Sequence, residues 1–359
     1  MLRKGVTTGA CAQAAAKACA LMLAQKEIIE TVEVQLPNGE NKEFTLLEQK
    51  VNKDYARCGV KKDAGDEDDV TDGIKIYCEI RKASIKGISI KGGKGVGIVT
   101  KHGLAVPPGE YAINPVPRKM ILRNVSEILP IKKQGFVVEI SVPEGEEIAR
   151  KTYNPRLGIK GGISIIGTTG IVEPNSIDAY KASLSLELNI AKANGNKVIN
   201  LCSGYIGERV LRERFKVSKK SIIKIGDHVG FMLEECVRKH ISNVVLVGHI
   251  GKLVKVAAGM FNTHSKFGDA RLETLAAFAA SCGAKRELVN KILNMKLAEE
   301  TVEVLKKNKL EVTFERIAER VVQRSEELCG GKLKIACILL SLKGEILGTA
   351  PKDLLEKNK

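Results

Sequence analysis

The densest set of reactive side chains in this chain lies between residues 248 and 273. Two of the five histidines, His249 and His264, fall in that stretch. Histidine can exchange a proton near neutral pH, and lysine or arginine can pair with an anion. The cations and polar residues beside the histidines are Lys252, Lys255, Asn262, Ser265 and Arg271. We predict a functional site here, with two structural histidines as the alternative.

Three glycine-rich turns form a second set of candidate ligands, because each follows a predicted β-strand. The strands are residues 163–166, 198–201 and 244–247, which are short apolar runs. Parallel sheets bind ligands at the carboxyl ends of their strands, where backbone amides at helix starts are free. The predicted cofactor contacts are Gly167, Thr168, Thr169, Gly170, Gly204 and Gly207. The pattern is not G-x-G-x-x-G, and tight turns without a ligand are the alternative.

The first half of the chain contains two loops of opposite charge. Residues 87–109 combine glycines with lysines that include Lys94 and Lys101, which predicts a basic, mobile substrate loop. Lys94 is followed by glycine and not by serine or threonine, so a P-loop nucleoside triphosphatase is excluded. Residues 61–73 are acidic but lack the full EF-hand pattern, which favours a solvated loop over a cation site. Asp63 is the one acid of that loop that we keep as a functional candidate.

An alanine-rich helix is predicted over residues 10–24, close to the amino terminus. Thr7 or Thr8 is placed to cap it, and a helix start with free amides and hydroxyls can bind an anion. An ordinary capped core helix is the alternative for this stretch.

The elements that carry these residues predict an α/β protein with two domains. Residues 1–150 form a mixed α+β domain that contributes to substrate binding, with a hairpin signal at residues 37–39. Residues 151–359 alternate strand and helix patterns, which predicts a Rossmann-like domain with a mainly parallel sheet, a cofactor site and a terminal hairpin. The boundary is expected between about residues 143 and 155.

Composition limits the partners of this protein. Its 359 residues carry a net charge of +16, which favours a polyanionic partner. Aromatic residues make up only 4% and tryptophan is absent, so a stacking platform for nucleic acid is poorly supplied. No apolar stretch is long enough for a bilayer and no secretory signal opens the chain. The nine cysteines show no zinc-ligand spacing, so we expect reduced thiols in a cytoplasmic protein, and homo-oligomerisation stays open.

Several ordered motifs closely resemble the CbiD family. They are GVTTGACA at residues 5–12, KDAGDEDDVT at 62–71, GVGIVTKHGL at 95–104, AINPVPR at 112–118, residues 152–174, and GHIGKLVKVAAGMFNTHSKFGDARLE at 248–273. The resemblance spans nearly the whole chain. It departs at Val6, Ala10, His102 and Cys202-Ser203, where the family pattern has an aromatic residue, threonine, proline and proline-glycine. None of these changes removes a charged group.

The resemblance implies the reaction and its reactants. The family methylates ring carbon 1 of cobalt-precorrin-5B, which gives cobalt-precorrin-6A in anaerobic cobalamin biosynthesis. The implied methyl donor is S-adenosylmethionine, and the implied substrate is a tetrapyrrole polycarboxylate that brings its own cobalt, with no protein-bound metal. A protein of charge +16 would attract such a polyanion. By analogy with Rossmann methyltransferases, Glu208 takes the place of the acid that binds the donor ribose.

The resemblance also implies roles for individual residues. In-line methyl transfer depends mainly on holding the two reacting atoms at about 3 to 3.5 Å. His264, His249 or Asp63 would remove the proton that the methylated ring loses. The implied substrate-binding residues are Thr7, Thr8, Lys101, Arg118, Lys252, Lys255, Asn262, Ser265 and Arg271. A non-catalytic tetrapyrrole or nucleic-acid binding protein and a metabolite kinase are the alternatives.

Overall fold

The computed structural model describes residues 2–351 and divides the chain into two compact units. The division falls between Ile177 and Asp178, so residues 151–177, which we predicted to open the second domain, belong to the first unit. Both units contain sheets and helices, so the protein is a mixed α/β protein, as predicted. Over the described residues, no helix has both the length and the apolar character that crossing a membrane requires.

The helices and strands are numbered in chain order. In the first unit they are β1 (Gly5–Val6), α1 (Thr8–Gln25), β2 (Thr31–Gln35), β3 (Asn41–Val51), β4 (Tyr55–Lys61), β5 (Lys75–Ala83), β6 (Ile88–Gly92), β7 (Gly95–Val96), β8 (Ile98–Val99), α2 (Pro115–Ile128), β9 (Gly135–Ser141), α3 (Gly145–Ala149), α4 (Asn154–Leu157), β10 (Ile159–Lys160), β11 (Gly162–Ile163) and β12 (Ile171–Val172). The elements that follow are α5 (Ile177–Ala193), β13 (Ile199–Cys202), α6 (Tyr205–Arg214), β14 (Ile222–Lys224), α7 (Val229–Arg238), β15 (Asn243–His249), α8 (Ile250–Ala257), α9 (Arg271–Ser281), α10 (Arg286–Leu293), α11 (Glu300–Lys307), α12 (Val312–Leu328), β16 (Lys334–Leu340) and β17 (Ile346–Ala350).

A six-stranded sheet covered by α1 forms the core of the first unit. The strand order is β2-β3-β4-β5-β9-β6, and every neighbouring pair is antiparallel except β9 with β6. The alanines and cysteines of α1 are buried against this sheet, because small side chains let the helix backbone approach closely. Strands β2 and β3 are joined by residues 37–39, where Gly39 has a φ of +91°, so the predicted hairpin is confirmed.

Residues 152–174 form short local pairings inside the first unit. Strand β11 runs parallel to β7, and β12 runs antiparallel to β1. Ile165 makes an isolated parallel bridge to Ile113. The prediction that residues 163–166 open the parallel sheet of a second domain is therefore wrong. A short apolar run does not reveal which sheet it joins, and Ile163 and Ile165 of this run are buried in the core of the first unit.

A five-stranded sheet lies at the centre of the second unit. The strand order is β14-β13-β15-β16-β17; the first four strands are parallel and β17 returns antiparallel to β16. The sheet is therefore mainly parallel and ends in a hairpin, as predicted. The predicted strands at residues 198–201 and 244–247 correspond to β13 and β15. Strand β14 was missed because its three residues are too short to show a period.

Side chains alternate along these strands and form an apolar core on each face of the sheet. Val244 and Leu246 pack into the core that includes α7, α8 and α12, whereas Val245 and Val247 pack with α6. From β13 the chain continues through α6 to β14, which lies toward one edge of the sheet. From β15 it continues to β16, which lies toward the opposite edge. The neighbouring strands β13 and β15 therefore form a topological switch point, the place where open α/β sheets bind ligands.

Candidate functional site

The turns that follow β13 and β15 lie against each other at the switch point. Lys252 Nζ donates a hydrogen bond of 2.9 Å to the carbonyl oxygen of Ser203. A Cβ at Gly248 would lie 2.1 Å from Ser203 Oγ, so glycine is what allows this approach. Ser203 is fully buried, and its hydroxyl has no hydrogen-bond partner in the described chain. A buried polar atom without a partner is uncommon and marks this turn as a candidate ligand site.

Asp227 is the central acid of this site, and sequence reasoning missed it. It follows β14, the strand beside β13, and its Oδ1 accepts from Thr263 Oγ1 at 2.7 Å and pairs with Lys252 Nζ at 3.1 Å. Oδ2 has no hydrogen-bond partner in residues 2–351, and the side chain is 27% exposed. Burial acts to raise the pKa of this carboxyl, but the bonds from Thr263 and Lys252 lower it below its ordinary value. Asp227 is therefore an ionised acceptor with one open oxygen.

The two predicted catalytic histidines both use Nδ1 as a helix cap. His249 Nδ1 accepts from the amide of Gly251 at 3.2 Å, and His264 Nδ1 accepts from the amide of Lys266 at 3.2 Å. A neutral imidazole carries one proton, so each ring holds its proton on Nε2 and presents a donor. Burial, followed by the charges of Lys252 and Arg271, lowers the pKa of His249. Either histidine must give up its cap to accept a proton at Nδ1.

A third histidine, His228, lies at the same site and was also missed from the sequence. It follows Asp227, forms an isolated β-bridge with Asn262, and its ring lies 5.4 Å from that of Tyr180. Its ring nitrogens form no hydrogen bond with any residue that the structure describes. Burial and then the charge of Lys181 lower its pKa. The sequence signal for Asp227 and His228 was Gly226, which precedes them and lies two residues after the end of the short strand β14.

Most of the remaining predicted side chains of this segment bind other groups of the protein. Lys255 is 3% exposed, and its Nζ donates to the carbonyl oxygens of Thr263 at 3.2 Å and Gly268 at 3.0 Å. Arg271 forms a bidentate pair with Asp269 that raises its pKa. The others are Asn262, whose Oδ1 accepts from the amide of His264, and Ser265, which is exposed at the start of a short 3₁₀ helix. The structure thus brings the predicted residues together, but it buries Lys255 and bonds it to two backbone carbonyl oxygens.

The start of α1 is already satisfied by its own unit. Thr7 Oγ1 accepts from the amide of Ala10 at 3.1 Å, and Thr8 Oγ1 accepts from the amide of Ile166 at 2.9 Å. The amide of Gly9 donates to the carbonyl oxygen of Ile166 at 2.8 Å. Thr7 and Thr8 are buried. The reading of this helix start as an anion site with free amides and hydroxyls is therefore wrong, because the loop at residues 164–170 occupies it.

The turn at residues 167–170 belongs to that same loop and ends no strand of the parallel sheet. A Cβ at Gly167, which has a φ of +132°, would lie 2.2 Å from Thr7 Oγ1. A Cβ at Gly170 would lie 3.1 Å from the side chain of Leu36. Thr168 and Thr169 are exposed, and they lie in a different unit from Gly204 and Gly207. The structure therefore does not unite the predicted cofactor contacts in one unit.

The predicted charged residues of the first unit are also paired. Asp63 pairs with Arg3 and accepts from the amide of Gly65 at 2.9 Å, and the bond from Arg3 lowers its pKa, which makes it a weaker base. Lys101 Nζ donates to the carbonyl oxygen of Arg156 at 3.2 Å, and Arg118 Nη1 donates to that of Ile90 at 3.3 Å. Across residues 2–351, no three histidine, cysteine or acidic side chains converge as metal ligands would.

Helix α6 presents a second surface at the end of β13. Tyr205 is 78% exposed, and Lys224 Nζ lies 4.1 Å from the centre of its ring. Lys224 also pairs with Glu208 at 3.5 Å. A depression of about 510 Å³ is lined by Tyr205, Glu208, Arg209, Arg212, Glu213, Lys216 and Val217. Gly207 faces inward, where a Cβ would lie 3.2 Å from Val247, so this glycine sets α6 close to the sheet.

Comparisons with known proteins show the family of this chain. The model described as CbiD matches residues 1–174, and the model described as CbiD, C-terminal domain, matches residues 262–351. The chain belongs to the CbiD family.

Two similar relatives are named cobalt-precorrin-5B C(1)-methyltransferase. The protein from Thermoanaerobacter sp. is 46% identical over 351 residues, which are 97% of this chain and 95% of the relative. The protein from Moorella thermoacetica is 46% identical over 350 residues, 97% of this chain and 94% of the relative. A crystal structure of the cobalamin biosynthesis protein cbiD from Archaeoglobus fulgidus is 34% identical, with a TM-score of 0.40, and the match covers 76% of this chain and 84% of that chain.

Proposed function

We propose that this protein transfers a methyl group from S-adenosylmethionine to ring carbon 1 of cobalt-precorrin-5B, giving cobalt-precorrin-6A in anaerobic cobalamin biosynthesis. The observation that carries the proposal is the nearly full-length similarity, at 41 to 46% identity, to proteins named cobalt-precorrin-5B C(1)-methyltransferase. The charge of +16 supports it, because the substrate is a polycarboxylate. Cobalt enters with the substrate in this proposal, and the protein needs no metal of its own.

We further propose that the second unit is a Rossmann-like domain and that the donor binds at its switch point. Support comes from the strand order, the unpartnered hydroxyl of buried Ser203 and the open oxygen of Asp227. The donor site predicted at residues 167–170 lacks this support, because that turn packs on Thr7. Gly204 keeps its place in the proposed site as the N-cap of α6, whereas Gly207 faces the sheet.

The bound donor supplies an electrophilic methyl group: the electron pair of the ring carbon forms the new C–C bond, the S–C bond breaks to leave a thioether, and the ring releases a proton. The protein's part is to hold both reactants in line and to exclude water. His249 and His264 have Nε2–H groups available as donors, since their Nδ1 atoms are caps. His228, whose ring nitrogens bond to none of the described residues, is the better acceptor for the released proton.

Substrate recognition requires cations that are free to meet carboxylates. Lys255 does not meet this requirement, and Lys252 is committed to Asp227 and Ser203. Arg212 and Lys216 line the depression on α6, are exposed, and pair with no described residue. We assign them to the carboxylate fringe of the tetrapyrrole. We place the reaction in the cytoplasm because all nine cysteines are free thiols, which suits a reducing compartment.

Incubation with methyl-labelled S-adenosylmethionine and cobalt-precorrin-5B tests the proposal. We expect label at ring carbon 1 and one S-adenosylhomocysteine for each methyl group transferred. Binding of the tetrapyrrole without transfer would overturn the proposal in favour of a non-catalytic binding protein. Consumption of ATP in a parallel incubation, with ATP in place of S-adenosylmethionine, would instead indicate a kinase.

A further inference from the structure

We propose that Asp227 is the residue that binds the ribose hydroxyls of the adenosyl donor. The inference rests on the proposed function and goes beyond it, because it assigns a ligand group to an acid that the sequence motifs did not single out. The sequence-based candidate for this role was Glu208. The two acids lie in the same unit and make different contacts, so the structure can be used to choose between them.

The place of Asp227 in the sheet supports this assignment. In open parallel sheets, a nucleotide lies across the switch point, with its charged part at the turn after the first strand and its ribose near an acid that follows the neighbouring strand. Here the first strand is β13, which ends at Cys202, and the neighbouring strand is β14, which ends at Lys224. Asp227 follows β14, whereas Glu208 lies in the first turn of α6.

The contacts of Asp227 leave one oxygen ready for a ligand. Oδ1 is held by Thr263 Oγ1 at 2.7 Å and by Lys252 Nζ at 3.1 Å. The backbone is held as well, because the amide of Thr263 donates to the carbonyl oxygen of Asp227 at 3.0 Å. Oδ2 has no hydrogen-bond partner in the described chain, and the side chain is only partly exposed. A fixed, ionised carboxylate with an open oxygen suits a hydroxyl pair, which supplies donors.

Glu208 differs from Asp227 in its place in the fold and in its partner. Its Oε2 pairs with Lys224 at 3.5 Å, and its side chain is mostly buried. The same lysine lies over the ring of Tyr205, so Glu208 holds Lys224 and Tyr205 in place at the start of α6. Replacing Glu208 should therefore disturb that surface without removing a ribose contact.

Calorimetric titration with S-adenosylhomocysteine and with its 2′-deoxy and 3′-deoxy analogues tests the inference. Wild type should bind at least one analogue on the order of 10- to 100-fold more weakly than the parent, which corresponds to a hydrogen bond to a charged group. Asp227→Asn should lose a similar factor for the parent and should no longer distinguish it from that analogue. Glu208→Gln is the matched control and should keep both the affinity and the discrimination.

Three results would overturn the inference. They are equal affinity of wild type for the parent and both analogues, discrimination that survives in Asp227→Asn, and discrimination that is lost in Glu208→Gln. The wild-type comparison needs no variant, so it can refute the inference even if Asp227→Asn fails to fold, and Glu208→Gln still tests the rival acid. A protein that binds no S-adenosylhomocysteine at all would contradict the proposed function itself, which separates the two failures.

Discussion

Replacement of Lys255 by methionine distinguishes a structural lysine from a substrate clamp. Methionine keeps most of the aliphatic length but leaves the carbonyl oxygens of Thr263 and Gly268 without their buried donor. A hydrogen bond to a charged group contributes about 1.5 to 3 kcal/mol. Lys255 makes two such bonds, but removing its buried charge offsets part of their loss, because desolvation of the ammonium group no longer opposes folding. We therefore expect the free energy of unfolding to fall by about 2 to 4 kcal/mol.

Thermal and urea unfolding measure this loss. For a unit of this size, each kcal/mol corresponds to roughly 2 to 4 °C, so the Tm of the second unit should fall by about 4 to 16 °C. Lys266→Met is the matched control, because Lys266 is exposed in the loop after α8 and its replacement removes the same charge. It should leave the Tm within about 1 °C.

A clamp would give the opposite pattern. If Lys255 paired with a substrate carboxylate, Lys255→Met would raise the KM for the tetrapyrrole and leave the Tm unchanged. That result would contradict a structural role for buried Lys255 and would support the substrate-binding role that the sequence suggested.

Three further changes have definite expected outcomes. Gly167→Val should lower the Tm and leave the S-adenosylhomocysteine affinity of the folded fraction unchanged, because its Cβ meets Thr7; weaker binding at an unchanged Tm would return the donor site to residues 167–170. His264→Ala should lower kcat with near-normal donor affinity across pH 5.5 to 9, and wild-type rates would make this histidine structural. Burial acts to raise the pKa of Glu235, but Arg238 and its other partners outweigh this effect and lower the pKa to about 2, so the stabilisation is present above pH 4.5 and lost as the pH falls toward 2. Glu235→Gln should therefore cost up to about 3 kcal/mol in urea unfolding at pH 7 and much less near pH 2, and an equal cost at both pH values would refute this linkage.

Periodic patterns predicted the framework of the second unit well. The apolar runs of β13, β15 and β16 are long enough to indicate buried strands, and the turns between them pointed to the edge of the sheet where the site lies. Strand β14 has only three residues and no period, so the acid that follows it, Asp227, was not recognised. The sequence could locate the site only where the apolar pattern of a strand was long enough to be recognised.

Partners that are distant in sequence explain the remaining errors. The glycines at residues 167–170 correctly signalled a close approach, but the sequence could not show that the approaching group is Thr7 and not a cofactor. Similarly, the charge of Lys255 was evident, whereas its burial beneath the carbonyl oxygens of Thr263 and Gly268 depends on how the following loop folds. Residue type thus predicted which interactions a side chain can form, whereas tertiary contacts determined whether that side chain is available to a ligand.

Amide hydrogen exchange with and without S-adenosylhomocysteine tests most directly whether the donor binds at the switch point of the second unit. We expect protection at residues 203–208, 226–228 and 248–252, which surround the ends of β13, β14 and β15. Residues 167–170 should exchange at the same rate in both samples. Protection confined to residues 167–170, with no change at the three strand ends, would contradict the account.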